Sequence, residues 1–330
     1  MKKILVLATG GTIASVSGKD GLEPALKAGG FLPYMTGIAE NYEVTTRDIL
    51  HLDSSNIQPE EWVLIAHSVY DACQDYDGII ITHGTDTMAY TTSILSYMLH
   101  NVPIPVVVTG SQLPLTHPLT DAADNLRYAF AMAGSGIPGI FLAFNRKIIL
   151  GTRAVKVRTT GFDAFESVNY PYVAQFDSHG LKVKEEILVR PQGECRIYDK
   201  LCSKVFLIKL TPGLNPGIFD MLLGMNYRGI VIEAFGAGGI HFVHRDLISE
   251  LQKMVEHGIS VVVCSQCLYE RSDLSIYQVG QLALKKGVIE AYDMTTEAAV
   301  TKLMWALGQT EDGDKVREIF ATNYTGEFAL

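Results

Sequence analysis

Gly78-Ile79-Ile80-Ile81-Thr82-His83-Gly84-Thr85-Asp86-Thr87 opens as an unbroken apolar, β-branched run and stops abruptly in threonine, glycine and a carboxylate. A strand without polar alternation is one covered on both faces, the habit of a parallel sheet flanked by helices. Runs of the same kind recur on either side: Ile4–Ala8, Pro105–Thr109, Gly139–Phe144, Val205–Leu210, Gly229–Ala234 and Ile259–Cys264. Helical patterns lie between several of them. Pro59–Cys73 begins with a proline and two acids, both suited to a first helical turn. Thr87–Leu99 sets Met88, Thr91, Leu95 and Met98 on one face. Asp246–His257 carries Leu247, Leu251 and Met254 on one stripe, with Gly258 placed for a C-terminal cap. Strand alternating with helix predicts an α/β fold with a largely parallel sheet.

The chain has 330 residues, 27 Lys+Arg against 36 Asp+Glu (net charge −9), and is 48% hydrophobic and 19% charged. Single cores stop growing at about 250–300 residues, so two ordinary domains or one very large one are expected. The composition excludes disorder, a collagen-like repeat and a disulfide-stapled miniprotein. An acidic chain without a basic cluster argues against nucleic acid as partner and points to a small molecule. No apolar run is long enough to cross a bilayer, so no membrane role is expected. Met1-Lys2-Lys3 and Ile4–Ala8 run into Thr9-Gly10-Gly11-Thr12 rather than a signal-peptide cleavage site. Cys73, Cys195, Cys202, Cys264 and Cys267 cannot all pair, which fits a reducing cytoplasm. Cys264-Ser265-Gln266-Cys267 has metal spacing but too few companion ligands, so no metal is expected and Cys264 reads as a buried strand end.

About half the residues from Lys182 to Lys200 are charged, and Pro191 and Gly193 interrupt any regular element. The expected division is a catalytic domain over 1–182, a linker over 183–200 and a second α/β domain over 201–330. A charged edge hairpin of one continuous domain is the alternative.

In open α/β sheets ligands bind beyond the carboxyl ends of the strands. The polar residues to inspect are therefore Thr9-Gly10-Gly11-Thr12-Ile13, Thr82–Thr87 and Thr109-Gly110-Ser111-Gln112. Glycine lets a backbone approach a ligand and present N–H donors to an oxyanion, and a threonine hydroxyl attacks a carbonyl once its proton is removed. Each feature has a structural reading. Gly10-Gly11 is a tight turn without dinucleotide-binding glycine spacing. His83 is either a general base or a structural hydrogen-bonding residue. Asp86 is either a site carboxylate or an N-cap for the helix near Thr87. The coincidence of threonine and glycine at three strand ends favours function.

Taken together, Thr9–Ile13 and His83–Met88 resemble the two signature motifs of the bacterial L-asparaginase family. Leu52-Asp53-Ser54-Ser55-Asn56 is similar to that family's substrate-carboxylate loop. Thr109–Gln112, Gly151–Lys156, Phe162–Ser167 and Met304–Gly308 extend the likeness over essentially the whole chain, toward the cytosolic type I branch. The resemblance implies a larger flavodoxin-like N-terminal domain and a smaller Rossmann-like C-terminal one. It implies hydrolysis of L-asparagine to L-aspartate and ammonia through a threonine acyl-enzyme, without metal or cofactor. By motif, Thr12 is the nucleophile. Thr85, Asp86 and Lys156 form the second catalytic group, with Lys156 the proton sink for the Thr85 hydroxyl. A desolvated lysine can play that part near neutral pH, although on the residues alone Lys156 reads as an ordinary surface lysine. Asp86, beside Thr85, would hold the substrate α-ammonium, and Ser54, with help from Asp53 and Ser55, its α-amino-acid end. Backbone N–H groups near Gly11 and Thr85 would face the oxyanion.

Ser15–Pro24 has the glycine and serine content of a hinged lid. Leu22 stands in it where many family members carry a tyrosine, and Tyr34 is the next tyrosine downstream. The resemblance also implies a homodimer or homotetramer. Glu233 stands where some type I members place the key arginine of an effector site, with Gln266-Cys267 retained. Rival readings are a broader glutaminase-asparaginase, the asparaginase-like part of a tRNA-dependent amidotransferase, a non-catalytic amino-acid sensor and a nucleotide-dependent oxidoreductase. The amidotransferase reading calls for an extra N-terminal domain and a nucleic-acid surface, against a first motif at Thr9 and a charge of −9. The sensor calls for loss of Thr12, Thr85 or Lys156, and all three are present.

Overall fold

The computed structural model describes residues 1–18, 21–24, 29–30, 33, 37 and 39–329, without the side chains of 16–18, 21–24 and 39. The side chain of Leu22 and all of Tyr34 lie outside the described residues. Within the expected lid, Ser15–Gly18 and Gly21–Pro24 pair as antiparallel strands. The chain divides into two compact units, Met1–Asp199 and Lys200–Leu330.

The first unit holds five parallel strands, in chain order Lys2–Gly10, Tyr42–Leu52, Gly78–Thr82, Pro105–Thr109 and Gly139–Phe144. In the sheet they lie in the order second, first, third, fourth, fifth, and three antiparallel strands (Lys147–Leu150, Ala174–Asp177, Gly180–Val183) complete its far edge. This is the flavodoxin-like order, whose reversal falls between the first and third strands and opens a ligand crevice at their carboxyl ends. Those ends are Thr9–Thr12 and Thr82–Thr87. Gly78–Thr82 and Pro105–Thr109 are buried throughout, as their unbroken apolar character requires.

The Tyr42–Leu52 strand is absent from the sequence expectations. It forms an edge of the sheet, and its residues are part-exposed and largely polar. An edge strand needs no continuous apolar run. The helix expected over Thr87–Leu99 spans Met88–Met98 and is buried on nearly all sides rather than along one face. Pro59–Ala72 starts with a capping box in which Gln58 and Glu61 satisfy each other's ends, and Pro59 occupies the first turn.

Residues 183–199 fall within the first compact unit, where they form a strap. Arg196–Ile197 pairs antiparallel with Leu99–His100, Ile187 and Leu188 pack on the core, and the Tyr170 hydroxyl donates to the Ile187 carbonyl. The charges that suggest a linker lie on its solvent side, where Arg190 pairs with Glu185.

The second unit has four parallel strands, Val205–Lys209, Gly229–Ala234, Ser260–Ser265 and Ile289–Glu290, adjacent in chain order. The βα winding is Rossmann-like, but strands in simple sequence have no reversal and open no comparable crevice. Helix Leu247–Glu256 packs its apolar stripe on this sheet, with Asp246 capping Ser249 N–H. Cys264 is buried near its strand end.

Candidate active site

The two motif turns meet at the strand-order reversal through glycine. A Cβ on Gly11, whose φ is +78°, would lie 2.4 Å from the Gly84 nitrogen. A Cβ on Gly84 would lie 2.5 Å from Ser54 Oγ. No other residue type allows this approach, so glycine brings three backbone segments together. Thr9 Oγ1 donates to Thr82 O at 2.8 Å and ties the same strand ends. Thr12 starts a short 3-10 turn, Thr12–Ala14, and is half-buried, while Ile13 and Ala14 anchor the turn in the core.

Lys156 is bound to the second turn. It ends the Ala154–Lys156 strand of a hairpin with Phe165–Ser167. Its ammonium donates to Thr85 Oγ1 at 2.8 Å and to Asp86 Oδ1 at 2.6 Å. The Lys156 side chain is 18% exposed and that of Asp86 61%. Asp86 is thus not the helix cap: Thr87 holds that position, and the Asp86 carboxylate is engaged by Lys156. Thr85 Oγ1 also reaches Gln112 Oε1 at 3.5 Å. Gln112 is oriented by its own amide, which donates to Thr159 O and Gly161 O at 3.1 and 3.0 Å. Asp121 in turn accepts from the backbone N–H groups of Gln112 and Leu113. Gln112 sits at an inspected strand end, which was its signal. Asp121 carries none, because its role depends on a loop folding back.

Ser54 is buried and belongs to the turn: its Oγ accepts from Asp86 N–H at 3.2 Å, and its carbonyl accepts from Thr87 Oγ1 at 2.7 Å. Asp53 and Ser55 engage each other instead. Asp53 Oδ1 accepts from Ser55 N–H at 2.8 Å and Ser55 Oγ at 2.6 Å, and these bonds lower the Asp53 pKa. Gly11 N–H already donates to Leu52 O at 2.9 Å, so it cannot serve an oxyanion without breaking that bond.

His83 is the structural residue of the turn. Burial pushes its pKa down to about 4, so the ring is neutral. Its Nδ1 faces Gly84 O at 2.7 Å and must donate there. Nε2 therefore accepts from Thr91 Oγ1 at 3.0 Å, and Thr91 in turn accepts from Trp62 Nε1. A ring held at both nitrogens in this way fixes the Gly84 peptide.

Among the described residues there is no group of three or more His, Cys, Asp or Glu side chains that could hold a metal. No described helix is long and apolar enough to cross a membrane. A doubly wound sheet with hydroxyls, a lysine–carboxylate pair and glycine turns at its reversal defines an α/β enzyme site for a small polar substrate. Comparison with known proteins gives the family. Residues 3–188 match the N-terminal asparaginase domain, and residues 204–320 the glutaminase/asparaginase C-terminal domain. The chain belongs to the asparaginase family. It is 47% identical to an L-asparaginase of Thermococcus kodakarensis over 98% of both chains. It is 36% identical to a glutamyl-tRNA(Gln) amidotransferase component of Pyrococcus abyssi, over 99% of this chain and 77% of that one. The solved thermostable L-asparaginase from Thermococcus kodakarensis superposes with a TM-score of 0.93 at 46% identity, covering 99% of each chain. L-asparaginase I from Vibrio cholerae superposes with a TM-score of 0.89 at 30% identity, covering 100% of each.

Proposed function

We propose that this chain hydrolyses L-asparagine to L-aspartate and ammonia, with Thr12 as nucleophile and Thr85, Asp86 and Lys156 as the proton-handling group. The observation that carries the reading is Lys156 Nζ seated between Thr85 Oγ1 and Asp86 Oδ1 at 2.8 and 2.6 Å. A lysine reading as surface on the residues alone is largely shielded and bound to the two motif residues that need it.

Thr12 Oγ attacks the side-chain amide carbon of asparagine. The C–O bond forms, the C–N bond breaks, and the departing nitrogen takes a proton and leaves as ammonia. Water then attacks the aspartyl ester and restores the Thr12 hydroxyl. Thr85 relays the proton and Lys156 stores it. A substrate ammonium on Asp86 competes with Lys156 for the carboxylate. Ser54 directs its hydroxyl toward the substrate's α-amino-acid end, with Asp53 and Ser55 shaping the loop. A cytoplasmic homodimer or homotetramer belongs to the same reading; the family likeness supports both points, and the free thiols support the compartment.

The test is ammonia release by the pure protein from asparagine and from glutamine. An extra methylene is worth about 1–3 kcal/mol of discrimination, and displacing the carbonyl by about 1 Å can cost on the order of a hundredfold in rate. Asparagine is therefore the preferred amide. Equal kcat/KM for the two would make the protein a glutaminase-asparaginase.

A further inference from the structure

Away from the strand-order reversal, two sulfurs face each other in the first unit. Cys73 caps the carboxyl end of helix Pro59–Ala72 and is 3% exposed. Cys195 lies on the strap and is part-exposed, and its Sγ is 4.0 Å from that of Cys73 across 122 residues of sequence. The strap is held on both sides of Cys195. Asn101 Nδ2 donates to the carbonyls of Gln192 and Glu194 at 3.2 and 3.3 Å, and Asn101 Oδ1 accepts from Gln192 N–H at 3.0 Å. Just beyond, Arg196 pairs with His100 in the Leu99–His100 ladder. The two thiols are therefore brought together by the fold.

We propose that Cys73 and Cys195 form a dithiol–disulfide site whose oxidation staples the strap to the end of helix Pro59–Ala72. A disulfide needs an S–S distance of about 2.05 Å, so the sulfurs must close by roughly 2 Å. Side-chain rotation at the part-exposed Cys195 supplies that movement while Cys73 stays in place. The oxidant is a low-molecular-weight disulfide. Cys195 thiolate attacks one of its sulfurs, forming a mixed disulfide and releasing one thiolate. Cys73 thiolate then attacks Cys195 Sγ and expels the second. The protein loses two electrons and two protons, and the small disulfide is reduced to two thiols.

Burial and the neighbouring sulfur of Cys73 raise the Cys195 thiol to about 12. Attack is consequently slow at neutral pH. The product, once formed, is resistant, because a Cys195 thiolate is a poor leaving group when the disulfide is reduced. The disulfide itself carries no charge and leaves no donor unpaired, so burial does not oppose it. The pair stays reduced in a reducing compartment and closes when small disulfides accumulate.

The test is incubation of the full chain with glutathione disulfide at about pH 8.5, where exchange is faster, followed by alkylation and peptide mapping. The expected result is a linked Cys73–Cys195 peptide and a thermal midpoint raised by roughly 5–10 °C, as closure of a long loop predicts. Cys195→Ser should abolish both while leaving asparagine hydrolysis unchanged. Persistent glutathione on Cys195 with Cys73 still alkylatable would overturn the proposal. So would two alkylatable thiols in fully oxidising buffer with the protein folded by circular dichroism.

Discussion

Replacing Lys156 with methionine separates a proton-handling lysine from a structural one. The substitution keeps a long apolar stem and deletes two hydrogen bonds, to Thr85 Oγ1 at 2.8 Å and Asp86 Oδ1 at 2.6 Å. Its stability cost is small. With the Asp86 side chain 61% exposed, solvent screens the ion pair, and such pairs are worth about 0–1 kcal/mol. The catalytic cost is much larger. A positioned acid–base group contributes on the order of 10²–10⁴ in rate, or about 3–5 kcal/mol at about 1.36 kcal/mol per tenfold. Lys156→Met should lower kcat by that factor and shift the thermal midpoint by a few degrees at most. Thr12→Ala should do the same, and the double variant should be little worse than either, since groups acting as a unit are not additive. Steady-state ammonia release and thermal unfolding on the same preparations decide it. A Lys156→Met kcat within threefold of the parent, or a double variant whose losses multiply, would return Lys156 to a surface ion pair.

Two predictions concern the second unit. Burial, with nearby Glu233 adding to it, raises the Glu297 pKa from 4.5 to about 7. The stabilising share of this carboxyl is complete below about pH 4.5 and lost as pH rises through about 7. Glu297→Gln, neutral throughout, should then gain about 3 kcal/mol at pH 8 and nothing near pH 4.5; denaturant titration at the two pH values checks this, and an equal effect at both would contradict the burial argument. Glu327→Gln removes the carboxylate at 2.7 Å from the fully buried Lys302 ammonium. Other partners of that ammonium are the carbonyls of Phe320 and Thr322 and the rings of Phe320, Tyr324 and Phe328. An uncompensated buried charge costs about 3–5 kcal/mol, and a loss below about 1 kcal/mol in urea unfolding would show the pair to be expendable.

The sequence by itself determined the class of fold and the strand ends that form the candidate site. Gly78–Thr82 and Pro105–Thr109 are apolar at every position but their ends because both faces are covered, and that pattern is local. Their threonine and glycine ends are equally local, since turns select residue types by backbone geometry. The edge strand Tyr42–Leu52 escaped because exposure on one side permits Thr45, Thr46, Arg47 and Asp48. The strap escaped because its charges face solvent while Ile187 and Leu188 face the core. Only the tertiary structure decided which strand ends meet, because the order of strands follows from packing over the whole sheet. It also chose between the two readings of His83, whose role depends on burial and on Thr91 and Trp62. Lys156 shows the division most plainly: nothing in Lys156-Val157-Arg158 distinguishes it from a solvated lysine. Its partners lie 71 and 70 residues earlier, at Thr85 and Asp86. A contact across that separation is set by the summed packing of every element between, which neighbouring residues do not encode.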